Sequence, residues 1–279
     1  MFVYPKKIII TVAPVAHKGT LMPQISRNPL SPEETASEVI ACAAEGASMA
    51  HLHVRNPHGD QVQELTWYSK TIDLIRKESD IVIQGSTGGV SDLSLEKRCV
   101  SVTEPRTEIA SLNMGSVNFG EGVYINTLPD IRFWLGEMEK HTVVPELMIF
   151  DLSMMNTVEK LVGEGLLKPP LNYSFGLGFS GALPADPRFL CSFTSQLPPG
   201  AQWGLIHEGM EDFRLLAAAI GLGARSIRVG FEDGRSHLPG KPACSNTVLV
   251  QKIVELVRSL GFETATPSEA REMLGIIAM

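Results

Sequence analysis

Met49-Ala-His-Leu-His-Val-Arg55 is an apolar run with histidines at alternate positions. Side chains along a β-strand repeat every second residue, so a strand here aims His51 and His53 at the same side of a sheet. Two neutral imidazoles converging on a point suit zinc or a similar divalent ion. A catalytic site needs a third protein ligand and an open position as well. The candidate third ligand is Glu232, far downstream in Arg228-Val-Gly-Phe-Glu-Asp-Gly234. Two histidines satisfied by hydrogen bonds in a core are the alternative, and the place of each piece in the fold decides between them.

Outward from this strand, apolar runs alternate with helical patterns along the chain. Lys7 to Val12 reads as a first strand buried on both faces. Ser31-Pro-Glu-Glu34 combines an N-cap serine, a proline at the first helical position and a glutamate three residues after the cap, which starts a helix running to about Glu45 with Gly46 as its stop. Further strands are expected at Ile81 to Gln84, Ile109 to Met114, Val143 to Phe150, Leu171 to Phe175, Trp203 to Ile206 and Ser226 to Phe231. Helices are expected at Thr66 to Glu78, from about Leu93, at Leu128 to His141, Asn156 to Glu164, Pro187 to Gln196, Glu211 to Leu222 and Asn246 to Leu260, and Thr266-Pro-Ser-Glu269 caps a short terminal helix.

Eight strands, each followed by a helix, are the count of a single-domain (β/α)8 barrel over residues 1–279, with an open doubly wound sheet as the alternative. The barrel places polar residues at one rim, because active sites in this fold lie at the carboxyl ends of the strands. His51 and His53 end strand two, Gly85-Ser-Thr-Gly-Gly89 leaves strand three, Asn113 ends strand four, Glu146 lies in strand five, and Glu232 and Asp233 leave strand eight. Closure brings strand eight beside strand one and near strand two, within reach of a metal held by the histidines.

At 44% hydrophobic and 20% charged residues, the chain can bury a full core. A net charge of -7 argues against non-specific nucleic-acid binding, so an anionic ligand would need a local basic pocket. The first residues lack the apolar core and cleavage site of a signal peptide, and no uncharged stretch is long enough to cross a bilayer. Cys42, Cys99, Cys191 and Cys244 stand far apart, as expected of reduced, mostly buried thiols in a cytoplasm.

Within the rim, Asp233 is the candidate general base, with Arg228 pairing with it and holding it ionised. A purely structural Asp-Arg pair is the alternative. The Gly85 to Gly89 loop offers backbone N–H groups and the hydroxyls of Ser86 and Thr87 to a carboxylate or phosphate, or is simply a tight turn. Gly176-Leu-Gly-Phe-Ser-Gly181 spells a dinucleotide-type glycine pattern, but it lies late in the chain, and Pro184 and Pro187 interrupt the helix that should follow. A Rossmann domain is rejected there, while a role for that loop in binding a ligand remains. His17, His58, His141, His207 and His237 have no metal spacing, and exposed or loop positions are expected for them.

His51-Leu-His-Val-Arg55, Gly85-Ser-Thr-Gly-Gly89, Ser111-Leu-Asn-Met-Gly-Ser-Val-Asn-Phe-Gly120, Val144-Pro-Glu146 and Arg228-Val-Gly-Phe-Glu-Asp233 together resemble the β-keto acid cleavage enzymes, in family order and over essentially the whole chain. The resemblance implies a zinc-dependent (β/α)8 barrel, typically a homotetramer, taking a β-keto acid and acetyl-CoA to acetoacetate and a new acyl-CoA. It assigns the metal to His51, His53 and Glu232, and proton abstraction to Asp233 oriented by Arg228. It gives the substrate carboxylate to Ser86, Thr87, Gly88 and Gly89, and the pocket lining to Asn113 and Glu146. A metal-dependent hydrolase or aldolase on the same barrel is the competing reading. Two positions depart from the family pattern. Where the aminohexanoate-cleaving members place a glutamate for the substrate's amino group, counting from Thr11 gives Lys18, which favours a carboxylate or neutral tail. After strand seven, His207-Glu-Gly-Met210 stands where a Gly-rich, Arg-containing turn is usual.

Overall fold

A computed structural model describes residues 6–88 and 93–277 of the chain. Eight parallel strands form the barrel: β1 (Lys7–Val12), β2 (Met49–His51), β3 (Val82–Ser86), β4 (Ile109–Asn113), β5 (Val144–Ile149), β6 (Asn172–Leu177), β7 (Gln202–His207) and β8 (Ser226–Val229). Each pairs with the next, and β8 returns to β1 with Thr11 opposite Arg228 and Val12 opposite Val229, so the sheet closes. The expected barrel is therefore present and the open sheet is not.

The helices are α1 (Pro32–Ala44), α2 (Thr66–Arg76), α3 (Leu95–Arg98), α4 (Leu128–Lys140), α5 (Ser153–Gly163), α6 (Pro187–Thr194), α7 (Arg214–Gly221), α8 (Asn246–Ser259) and α9 (Pro267–Leu274). Ser31 and Glu34 form the expected reciprocal cap on α1, as do Thr266 and Glu269 on α9. Thr127 and Asp130 make a third at α4. Among the described residues, no helix is long and apolar enough to cross a membrane. Cys42 and Cys99 are buried as expected, whereas Cys191 and Cys244 are exposed; all four are free thiols.

Alternation along the strands sorts their side chains. On β1, Ile8, Ile10 and Val12 pack into the helix layer. Ile9 joins Met49, Val82 and Ile109 in a separate apolar cluster, completed by Ala265, Ala270 and Leu274. Helix α9 thus plugs the amino end of the barrel, held by an ion pair of Lys7 with Glu269 (2.7 Å) and by Asn172 donating to the Leu274 carbonyl (3.0 Å). The layer above is polar: Gln84, Glu146, Ser174 and Arg228 are buried on strand positions of the same parity. Above that layer lies the carboxyl rim.

Three local expectations change. Strand β3 runs on through Gly85 and Ser86, opposite Ala110 and Ser111, instead of ending at Gln84. A Cβ on Gly85 would lie 2.8 Å from the Ser101 hydroxyl, so glycine lets the strand pass close beneath that turn. The helix expected from about Leu93 shrinks to the single turn of α3 and a 3-10 turn at Val100–Thr103, where Arg98 is buried against Trp134. Strand β8 stops at Val229 because Gly230 takes φ +144 against β1. The structure also contains a hairpin, Val117–Phe119 against Gly122–Tyr124, that the sequence pattern did not indicate.

Gly230 permits the closest approach in the barrel: a Cβ there would be 2.6 Å from the Ala13 carbonyl carbon and closer still to its oxygen. Gly230→Ala should therefore cost about 3 kcal/mol in urea unfolding, combining backbone strain with a clash. Gly136→Ala, in α4 with open space around the added methyl, should gain about 0.5–1 kcal/mol. Equal effects from the two would contradict the close approach.

Candidate active site

Strand β2 ends at His51, and the chain continues extended enough for His53 to keep the same side. Their Nε2 atoms are 3.1 Å apart, with Glu232 Oε1 at 3.7 Å from His51 and 3.3 Å from His53. All three candidate ligand atoms lie within 4.8 Å of one another. The surroundings prepare these groups for a cation. Gln84 donates its amide to Glu146 Oε2 (2.9 Å), which leaves its oxygen to accept from His51 Nδ1 (2.7 Å) and turns the lone pair of Nε2 toward Glu232. Burial pushes His51 down to about 3 and lowers His53 too, so both imidazoles are neutral at physiological pH. Burial disfavours the charged form of Glu232, but the hydrogen bond with His53 and the charge of Arg228 outweigh it and keep the carboxylate ionised. Two neutral imidazoles and one carboxylate, converging and mostly covered, fit a divalent ion.

Arg228 is the central charge. Its Nε donates to Asp233 Oδ2 (2.8 Å), and its Nη2 reaches both Asp233 Oδ1 and Glu232 Oε1. The pair expected from sequence is thus present, but its electrostatic consequence differs. Burial, helped by the neighbouring Glu232, outweighs Arg228 and raises the Asp233 carboxyl above its ordinary value. The two adjacent carboxyls are pushed in opposite directions, Glu232 staying charged and Asp233 becoming the readier proton acceptor.

A cavity of about 570 Å³ opens beside this cluster. His51, His53, Arg228 and Glu232 form one end of it; Ser86, Gly88, Ser111 and Asn113 stand along β3 and β4; Phe119, Tyr124, Met148, Phe150 and Phe179 form the far wall, with His17 at the mouth. Both polar atoms of the Asn113 amide are buried without a hydrogen-bond partner among the described residues, leaving them for a ligand.

Other expected site residues stand elsewhere. Thr87 turns both its N–H and its hydroxyl to the Ser111 carbonyl, so it holds the loop and has no donor left for a substrate. Glu146 does not bound the cavity; it lies behind Gln84, as a support for His51. Lys18 is 61% exposed and paired with Asp60 on the loop after β2, outside the cavity. Its neighbour His17 is exposed as expected, yet bounds the cavity. Gly89 lies outside the described residues. Gln84, Ser111 and the aromatic wall were not singled out from sequence. Neither was Glu208, whose Oε2 is buried without a hydrogen-bond partner among the described residues and which burial, with Asp233 and Glu232 nearby, raises to about 8. The unusual His207-Glu-Gly-Met210 turn was the signal available for Glu208.

With this geometry in view, comparison with known proteins is decisive. The beta-keto acid cleavage enzyme family profile matches residues 7–276. The chain belongs to that family. It is 36% identical over 276 residues to the 3-keto-5-aminohexanoate cleavage enzyme of Acetoanaerobium sticklandii, covering 97% of this chain and 99% of that one. It is 32% identical over 273 residues to the 3-oxoadipate:acetyl-CoA acetyltransferase of Cupriavidus necator, covering 95% and 94%. Among solved structures, the ternary complex of ObcA with a C4-CoA adduct and oxalate superposes with a TM-score of 0.74 at 20% identity, over 89% of this chain and 67% of that one, a likeness of fold.

Two measurements check the site. Glu232→Gln should abolish stoichiometric binding of a divalent ion in calorimetry; retained binding would remove Glu232 from the ligand set. Burial raises Glu146 to about 7, against the pull of Arg228 and the Gln84 hydrogen bond. In an unfolded chain its carboxyl titrates near ~4.3, so between these values the folded state holds the extra proton, and that stability is lost as pH rises. Glu146→Gln should therefore gain stability relative to the parent as pH is raised from about 5 to about 8. A difference that is flat with pH would contradict the buried carboxyl.

Proposed function

We propose that this chain takes a β-keto acid and acetyl-CoA to acetoacetate and a new acyl-CoA, using a divalent ion, zinc in our reading, held by His51, His53 and Glu232. The observation that carries the reading is the adjacency of two differently tuned carboxyls in a chain of this family: Glu232 bounds the cavity toward the histidines, and Asp233, outside its lining, is buried next to it and clasped by Arg228. The ion supplies a Lewis acid beside the keto group.

The protein's own groups do the rest. Ser86 and Gly88, with Gly89 next in sequence, receive the substrate carboxylate at the end of β3, and the Asn113 amide orients the keto end. Asp233 accepts the proton from the carbon between carboxylate and ketone, with Arg228 fixing its direction and compensating charge in a covered site. The carbanion attacks the acetyl-CoA carbonyl and expels the thiolate. The thiolate then attacks the tail-side ketone, the carbon-carbon bond breaks, and Asp233 returns its proton to the departing acetoacetate, leaving the tail as acyl-CoA. A cytoplasmic homotetramer, usual in the family, completes the reading.

Acetoacetate should form only when acetyl-CoA is present. Asp233→Asn should lower kcat by about 10²–10⁴-fold while retaining the ion. Product formed without acetyl-CoA would favour hydrolysis or aldol cleavage; unchanged turnover in Asp233→Asn would exclude Asp233 as the base.

A further inference from the structure

We infer that the β-keto acid taken by this chain carries an uncharged, apolar tail. The inference rests on the reaction proposed above and adds the chemical class of its substrate. In that reaction the carboxylate and ketone occupy the polar end of the cavity, so the tail extends toward the opposite wall.

That wall is an interlocked aromatic cluster. Phe150 and Phe179 meet edge to face at 4.9 Å, Phe119 lies 5.3 Å from Phe179 and 6.2 Å from Phe150, and Met148 fills in beside them. The backbone is shaped to admit these rings. A Cβ on Gly176 would sit 2.6 Å from the Phe150 ring, and one on Gly181 would sit 2.8 Å from Asn118 Cβ, so both glycines let the wall close up. The Gly120 N–H donates to the Ser180 carbonyl (2.9 Å), docking the hairpin that carries Phe119 onto the loop that carries Phe179.

Charge points the same way. Among the described residues bounding the cavity, the only carboxylate is Glu232 and the only guanidinium or ammonium is Arg228. Glu232 faces the two histidines, and Arg228 is committed to Asp233 and Glu232. An ammonium-bearing tail would thus meet no carboxylate of its own. Among the described residues, a second carboxylate would meet no guanidinium or ammonium free of an acidic partner, because Arg228 is paired with Asp233 and Glu232, and Lys18, the nearest candidate by sequence, pairs with Asp60 outside the cavity. Placing either charge among three phenylalanines strips its water without replacing it. An alkyl or aryl tail gains from the same surface.

The test is calorimetric titration of the metal-loaded protein, without CoA, with β-ketohexanoate, its amino-bearing analogue and β-ketoadipate. β-Ketohexanoate should bind at least about tenfold more tightly than either charged acid. Equal or tighter binding of a charged acid overturns the inference. With acetyl-CoA added, kcat/KM should follow the same order. If β-ketohexanoate binds tightest but yields no acetoacetate, the tail assignment stands and the proposed reaction falls. Phe119→Asp, on the partly exposed hairpin, should bring the amino-bearing acid to within about threefold of β-ketohexanoate through KM while β-ketoadipate stays disfavoured, and Phe119→Leu should keep the parent order. An equal loss for all three acids would give Phe119 a structural role only and remove it from specificity.

Discussion

The Ala13 N–H donates to the Val229 carbonyl and the Glu232 N–H to the Ala13 carbonyl, so the end of β1 is gripped from both sides by the segment leaving β8. This closing contact sets the distance between Glu232 and the histidines of β2, two strands away around the barrel. It is possible only because Gly230 has no side chain: any Cβ would be driven into the Ala13 peptide. A parallel barrel closes through many small pairings, but this one carries the candidate ligand Glu232, the candidate base Asp233 and their shared Arg228 within six residues.

Burying those charges together is what makes the rim chemically useful. An isolated carboxylate or guanidinium would be costly in such a covered site. Here Arg228 faces two carboxylates, and the resulting excess of negative charge faces two imidazoles that burial keeps neutral. The cluster therefore has a place for a cation. Glu208 adds a third carboxyl to the neighbourhood, and its raised position relieves the repulsion by keeping it protonated near neutrality.

The barrel was legible because parallel strands buried on both faces read as unbroken apolar runs, and because the polar exceptions within them, such as Glu146 and Arg228, mark the interior layer. Helix starts at Ser31 and Thr266 were legible because capping is local. What escaped was tertiary. Whether Glu146 touches a ligand or supports Gln84 depends on which side chain stands in front of it. Thr87 looked like a donor until its hydroxyl found the Ser111 carbonyl. Counting seven residues from Thr11 gives Lys18, but the loop's path brings His17 to the cavity and sends Lys18 to Asp60. The hairpin at residues 117–124 has strands of three residues each, too short to show alternation, and it brings Phe119 and Tyr124 into the site.

The two ends of the cavity are built by different kinds of segment, and this has a consequence for the family. The candidate ligands, with Arg228 and Asp233, come from the carboxyl ends of β2 and β8 and the residues just after them, where register and closure leave little freedom. The apolar wall comes from the hairpin after β4, the end of β5 and the loop after β6, segments tied to one another through Gly120, Ser180 and Gly181 and, among the described residues, making no hydrogen bond to Arg228, Asp233 or Glu232. Substitutions on the wall can therefore change what a tail meets without moving the reacting groups. Relatives at 36% and 32% identity to this chain are named for an amino-bearing acid and for 3-oxoadipate, acids that share the β-keto carboxylate and differ in the charge of the tail.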